Sequence, residues 1–363
     1  MNDLNQNHDV IGIIAPANLK YLPYIQYYID VLKASNMPYK IISWDKYDLS
    51  EAGVDYALKF KTDDFDRKRM FYGYTLFAKA CRKFIRENHI KKLIILTAAP
   101  AFFIGERFLK RFQNQYILDI RDDSPFIRRF PKKFDRFCSM ARQVIVSSNN
   151  FKPWMTRKDA ILCHNVDVNQ IEKYIDLPKK TSHASPLSIV FAGMMIEGPI
   201  NIKLLDRFKT DERYQFHYIG RENEQKEDIA KFVKETGMKN VFFQGAYNKD
   251  EIVDIYRGKA DLVNILREKT VVNKNALPNK LYDALVSGVP IVVFEHNEAI
   301  VSYVKKYNLG LVLDENLENI NDVILEKMGS FDYSAFGKGC NDFLNEVLND
   351  MALFKKTVLD FAD

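Results

Sequence analysis

The sequence predicts an α/β protein made of two doubly wound, Rossmann-like domains, on three observations. Twelve short apolar runs recur along 363 residues, helical patterns separate them, and a polar, proline-containing stretch divides them into two sets of six. The first set is VIGIIA (10–15), YKIISW (39–44), LIILT (93–97), YILDI (116–120), QVIVSS (143–148) and AILCHN (160–165). The second is LSIVFAG (187–193), YQFHYIG (214–220), NVFFQG (240–245), ADLVNIL (260–266), VPIVVFE (289–295) and LGLVLD (309–314). Nearly continuous apolar runs of this length read as strands covered on both faces, as in parallel sheets. Their alternation with helices gives βαβ units, and the length fits two domains of about 150 residues each. The break is DLPKKTSHASP (176–186), with two prolines and no apolar periodicity. The expected boundaries are an N-terminal domain over 1–177, a linker over 178–186 and a C-terminal domain over 187–339. A helical pattern over about 340–363 is long enough to return to the first domain.

Composition narrows the class. Apolar residues make up 47% and charged residues 28%, which suits an ordinary globular chain with sizeable cores. The four cysteines, Cys81, Cys138, Cys163 and Cys340, lack metal or disulfide spacing and fit free thiols in a reducing compartment. The start, MNDLNQNHD, carries no apolar signal segment, and no apolar run approaches the roughly 18 residues that span a bilayer. The expectation is a cytoplasmic protein. The net charge of +5 is uneven: residues 67–142 hold 19 Lys/Arg against six Asp/Glu, a net +13, so the remainder is −8. A positive field so concentrated points to an anionic partner.

Ligands of doubly wound sheets bind beyond the carboxyl ends of the strands, and two such sheets facing each other would form a cleft with a substrate on each side. Gly193, Gly220 and Gly245 end strands of the second set, where glycine allows close backbone approach. The most telling segment is NALPNKLYDALVSGVPIVVFE (275–295), read as loop, short helix, Gly-x-Pro turn and buried strand. Asn279, Lys280 and Leu281 lie at the helix opening and Asp283 one turn further. Unpaired N–H groups, the positive end of the helix dipole and a lysine there form a phosphate-binding place. The carboxylate of Asp283 is then in reach of a neighbouring sugar. No G-x-G-x-x-G opens a helix and no Walker A lysine loop occurs, so a nicotinamide dinucleotide fingerprint is absent. The histidines show no ligand spacing, and His164 reads as structural. No metal site is expected.

From Ser188 to about Asp314 the blocks IVFAG, YIG, NVFFQG, DEIVDIYRGKADL and ALPNKLYDALVSGVPIVVF resemble the donor-binding domain of GT-B glycosyltransferases, most closely the family 4-like group. The resemblance implies that Asp283 holds the donor ribose, in the place of the second glutamate of the family's E-x7-E motif. It also implies that Ala246 and Tyr247 contact the nucleotide base. Three departures stand out. Asn275 occupies the place of the first glutamate. Met194 and Glu197 occupy the loop where the family has its phosphate-binding Arg and Lys. By charge and placement, Lys280, Arg267 and Arg221 are the expected replacements. In the first half, YILDIRDDSP (116–125) resembles the family's D-x-R-D loop more weakly, which implies Asp122 or Asp123 as the group that orients an acceptor hydroxyl or serves as general base. The same DDSP also suits a capped helix start.

The basic region has its own pattern. Met70, Phe71, Tyr74, Phe77, Ala78, Cys81, Phe84 and Ile85 keep helical spacing, with Lys79, Arg82, Lys83 and Arg86 on the other face. FIRRFPKKFDRF (126–137) interleaves aromatics with cations. Arg121, Arg128, Arg129, Lys132 and Lys133 are the expected acceptor or membrane contacts, on an anionic surface where each basic residue contributes roughly 1 kcal/mol. The resemblance thus implies a transferase using a nucleoside-diphosphate sugar, with UDP preferred to GDP as its base-bearing part, and no cofactor. It implies a saccharide acceptor, lipid-linked, in capsule or exopolysaccharide synthesis, and peripheral contact with the inner face of the cell membrane. Alternatives are a GT-B nucleotide-sugar epimerase, a catalytically silent partner subunit, and a nucleic-acid binder using the basic half. The oligomeric state is not legible.

Overall fold

The computed structural model describes residues 9–62, 70–316 and 318–363. Arg67, Lys68 and Arg69 of the basic stretch lie outside the described residues. The chain divides into two compact units, Met1–His164 with Asp350–Asp363, and Asn165–Asn349.

The sheet of the first unit holds β1 (Ile11–Ala15), β2 (Tyr39–Asp45), β3 (Tyr56–Lys61), β4 (Lys92–Leu96), β5 (Tyr116–Ile120), β6 (Gln143–Val146) and β7 (Ile161–Leu162). Their order is β3-β2-β1-β4-β5-β6-β7 and every pairing is parallel. Helices α1 (Ile25–Ala34), α2 (Met70–Glu87), α3 (Ala98–Ile104), α4 (Glu106–Leu109), α5 (Pro125–Arg129) and α6 (Pro131–Met140) accompany it. The inner strands are buried along their length, as their apolar runs require. β3 is absent from the sequence reading. It alternates half-buried and exposed residues (YALKFK) because it is an edge strand, and it carries none of the continuous apolar signal of its neighbours.

The sheet of the second unit holds β8 (Leu187–Ala192), β9 (Tyr214–Ile219), β10 (Val241–Gln244), β11 (Leu262–Asn264), β12 (Ile291–Phe294) and β13 (Gly310–Leu313), ordered β10-β9-β8-β11-β12-β13 and again all parallel. Its helices are α7 (Val168–Tyr174), α8 (Gly198–Asp206), α9 (Glu224–Thr236), α10 (Ile252–Lys259), α11 (Val271–Asn275), α12 (Asn279–Val286), α13 (Glu298–Tyr307) and α14 (Ile320–Gly329). The expected linker, 178–186, is fastened to this unit. The Lys180 amide donates to Gly288 O at 2.9 Å, the Lys180 ammonium meets Asp261 at 2.5 Å, and Arg257 donates to Pro178 O at 2.9 Å.

Helix α15 (Tyr333–Ala362) closes the chain, and its residues from Asp350 onward belong to the first unit. There Phe354 packs edge-on against Tyr28 at 5.0 Å, Asp350 meets His164 at 3.0 Å, and Lys92 donates to Ala362 O at 2.9 Å. Both sheets reverse strand order once, between β1 and β4 and between β8 and β11. In doubly wound sheets that switch point, at the carboxyl ends of the strands, is where ligands bind.

Candidate functional site

In the second unit the switch point is bordered by Gly193 after β8 and by the loop after β11. Gly193 has φ +120°, a conformation that side-chain-bearing residues seldom adopt. A Cβ there would stand 3.5 Å from Lys280 Cε, 3.9 Å from Lys280 Nζ and 3.9 Å from the Tyr247 hydroxyl. A lysine of α12, a tyrosine of the loop after β10 and the bare backbone after β8 therefore converge on one point. Gly220 follows the neighbouring strand, and a Cβ on it would come within 2.1 Å of Gly193 O, so the two strand ends touch through their main chains. Gly245 has open space around it.

Helix α12 opens at Asn279 behind Pro278, and among the described residues no side chain caps it. The Leu281 amide donates to Pro278 O at 3.0 Å, and the amides of Asn279 and Lys280 before it are the ones that no carbonyl within the helix can take. Asn279 is exposed and accepts from Asn165 Nδ2 at 2.8 Å, whereas Leu281 is fully buried and anchors the helix. The Lys280 ammonium rests over the Phe191 ring, 3.4 Å from its centroid. Its pKa is lowered to about 7, by burial first and by Arg267 second, against the opposing charges of Glu197 and Asp283. Burial raises Asp283 to about 6 against the pull of Lys249 and Lys280. The Tyr247 phenol is raised to about 12 by burial and by the charge of Asp283. A cation and an anion, each partly destabilised in its charged form, thus lie one helical turn apart beside Gly193, a common trait of functional sites.

The other expected donor residues divide. Ala246 and Arg221 are exposed. Arg267 is mostly buried and bonded to Glu197, Nε to Oε1 at 3.3 Å, and burial lowers its pKa. Glu197, a departure from the family pattern, is the buried hub of this loop. Besides Arg267 it accepts from the Glu268 amide at 3.1 Å and from Asn273 Nδ2 at 3.3 Å. Asn275 ends α11 rather than lying in a loop, and its side chain donates to Val271 O at 2.9 Å. Met194 is exposed.

In the first unit the DIRDD segment follows β5. Asp119 and Arg121 form a buried bidentate pair at 2.7 and 2.8 Å. Arg121 also donates to Cys163 O at 2.7 Å, and Tyr28 donates to Asp119 at 2.7 Å. Arg121 is therefore a structural cation and not the surface contact expected of it: its guanidinium is consumed holding β5 to the loop after β7. Asp122 keeps an exposed face, and its pKa is raised by desolvation of the carboxyl, opposed by Arg121 and aided by Asp119 and Asp123. Asp123 is buried and paired with Arg128, and its Oδ1 has no hydrogen-bond partner. Helix α5 is capped by Ser124, which accepts from the Phe126 amide at 3.3 Å, with Pro125 at its first position.

Residues 200–328 match the family model of glycosyl transferases group 1. That span contains Tyr247, Arg267, Lys280 and Asp283 and begins after Gly193 and Glu197. Among solved structures, the lipopolysaccharide outer core galactosyltransferase WaaB in its apo form is similar at a TM-score of 0.69. It shares 13% identity, with 97% of this chain and 99% of that chain covered. The α,α-trehalose 6-phosphate synthase of Burkholderia multivorans is similar at 0.65 with 8% identity, covering 98% and 96%. The UDP-GlcNAc 2-epimerase of Methanocaldococcus jannaschii is similar at 0.52 with 9% identity, covering 93% and 99%. The fold is GT-B. No curated protein matches the chain in sequence.

The basic part of this GT-B chain separates into core and surface. The core face of α2 is Gly73, Tyr74, Phe77, Ala78, Cys81 and Ile85. Met70 and Phe71, expected on that face, are exposed, and Phe71 instead meets Phe103 edge-on at 4.9 Å. In 126–137, Ile127, Phe134 and Phe137 enter the core. Arg128 pairs with Asp123, Arg136 binds Glu106 through two nitrogens, and Lys133 reaches over Phe102 and Phe137. Arg129 and Lys132 are exposed. Among the described residues no helix is long and apolar enough to cross a membrane.

One buried cation beside the candidate site is not legible in the sequence. Lys226 in the first turn of α9 is buried, and its ammonium donates to Gly220 O and Gln244 O, both at 2.9 Å, and meets Glu222 at 2.5 Å. It ties the carboxyl ends of β9 and β10 beside Gly193. Its signal was a lysine at the inward third position of a helix capped by Asn223.

Proposed function

We propose that the protein transfers a sugar from a nucleoside-diphosphate sugar to a saccharide acceptor. The observation that carries this reading is the convergence of Lys280, Tyr247 and the Gly193 backbone at the switch point, with Asp283 one turn along α12. The diphosphate lies against the uncapped start of α12 and the Lys280 ammonium, Asp283 accepts from the ribose hydroxyls, and Tyr247 borders the base. As the bond from the sugar's anomeric carbon to the diphosphate breaks, the leaving charge is stabilised by Lys280 and the helix dipole. The acceptor oxygen forms the new bond, and its proton passes to a general base, the role proposed for Asp122. No step calls for a metal or cofactor, and UDP is the proposed nucleotide.

The finer assignment is a family 4-like enzyme of capsule or exopolysaccharide assembly with a lipid-linked acceptor, held peripherally at the inner membrane face through Arg129, Lys132 and the outer face of α2. The charge concentrated in 67–142 supports it. A thermal-shift screen of UDP, GDP, CMP and dTDP sugars tests the donor, because a ligand that binds only the folded state raises Tm. UDP-sugars should give the largest rise, and no shift with any nucleotide would leave a silent partner subunit. Sugar conversion with no acceptor present would identify an epimerase. Asp122→Asn should lower kcat with nucleotide affinity unchanged; a fully active variant removes Asp122 from the chemistry.

A further inference from the structure

The first unit carries a further concentration of cations, in which Arg82 and Arg86 of the outer face of α2 meet Arg107 and Arg111. A surface pocket of ≈ 380 Å³ is lined by Arg82, Arg86, Ile104, Gly105, Glu106, Arg107, Phe108 and Arg111. Arg82 and Arg86 are one turn apart on α2, and Arg107 and Arg111 are four residues apart across α4 and the turn that follows. Like charges at that spacing repel, so both pairs oppose the stability of their own segments. Glu106 does not relieve this, because both its oxygens are engaged by Arg136 at 3.0 Å. Among the described residues none of the four arginines has a carboxylate partner. Arg82 is held in place by two carbonyls, donating to Phe103 O at 2.9 Å and Ile104 O at 3.1 Å.

Four arginines line one concavity, the guanidinium of Arg82 fixed by backbone acceptors, and the repulsion among them is relieved by a multivalent anion. The planar guanidinium fork matches phosphate oxygens two at a time, and four arginines against the single carboxylate of Glu106 leave the concavity with an excess of positive charge. We propose that this pocket binds a terminal phosphate or diphosphate group, two or more negative charges on one small body, at a site separate from the sugar-nucleotide site. Such a group is carried either by a lipid headgroup or by a soluble phosphorylated molecule. The proposal stands whether or not the donor assignment holds.

The test uses the full chain and inorganic pyrophosphate, reading amide hydrogen exchange over 104–111. Pyrophosphate should slow exchange there in the parent and in Lys280→Ala. In Arg107→Glu/Arg111→Glu, whose substituted side chains are exposed, the protection should need about tenfold more ligand or disappear. A folding failure of that variant is distinguished by its circular dichroism melt, and Arg107→Gln/Arg111→Gln then provides the same comparison. Phosphatidylcholine vesicles with and without phosphatidic acid separate the two sources. Sedimentation with the acidic vesicles that is lost in the double variant assigns a headgroup, and sedimentation unchanged by the substitutions assigns a soluble ligand. The proposal is overturned if pyrophosphate gives no protection in the parent, if the double variant is protected equally, or if chloride at matched ionic strength protects as well.

Discussion

Lys280 is a cation held where burial opposes its charge, with a pKa of about 7. Asp283 one turn away is a carboxylate raised to about 6. Diphosphate binding needs the ammonium, and a ribose contact needs the ionised carboxylate. Donor affinity should therefore be greatest between about pH 6 and 7 and fall by up to about tenfold per pH unit outside that window. Calorimetric titration of a UDP-sugar, whose esterified diphosphate does not itself titrate there, checks this; a flat profile contradicts it. The same lysine bears on stability with a definite sign. Its folded pKa lies below the ordinary value, so the unfolded chain binds more protons between about pH 7 and 10, and its contribution to stability rises with pH across that range. Lys280→Met should accordingly melt higher than the parent at neutral pH, with the difference shrinking toward alkaline pH; a lower Tm at neutral pH argues against a strained cation. Arg121 has the opposite character. Removing it leaves Asp119 buried and unpaired, so Arg121→Ala should cost about 3–5 kcal/mol in urea unfolding, and a surface-like cost under about 0.5 kcal/mol would contradict its buried role.

The elements divide by how plainly their surroundings are written in sequence. Twelve of the strands were legible because inner parallel strands are apolar on both faces, and the helix start at Asn279 was legible from the Pro before it and the Gly-x-Pro after it. β3 was not, since an edge strand needs only one apolar face. The site followed the same logic. Lys280 and Asp283 are legible as candidates because a helix opening has a local signature. The contacts of Glu197 with Arg267 and Asn273, and of Lys226 with Gln244, are not legible because these partners lie 18 to 76 residues away in sequence. Arg121 reads as surface charge because cation-rich sequence does not reveal that one arginine turns inward to an aspartate two residues before it. At this scale the close approach of β8 and β9 is the sharpest constraint. Gly220→Ala places a methyl within 2.1 Å of Gly193 O and should destabilise the protein by about 1–3 kcal/mol, displacing Gly193 and weakening donor binding with it. Unaltered stability and donor affinity in that variant would show that the two strand ends are not coupled.

Taken whole, the chain has two doubly wound units whose sheets share the order of their first six strands. The second unit brings a cation, a carboxylate and bare backbone to its switch point, and the group 1 glycosyl transferase pattern covers most of these residues. In the first unit Asp122 keeps an exposed face beyond β5, while the buried Asp119–Arg121 pair holds the segment that carries it. The central claim is that Lys280 and the opening of α12 hold the diphosphate of a sugar nucleotide. Its most direct test is calorimetric titration of UDP into the parent and Lys280→Ala at neutral pH. Loss of one charge-assisted contact should weaken binding about 10- to 100-fold. Equal affinity in the two proteins would contradict the claim.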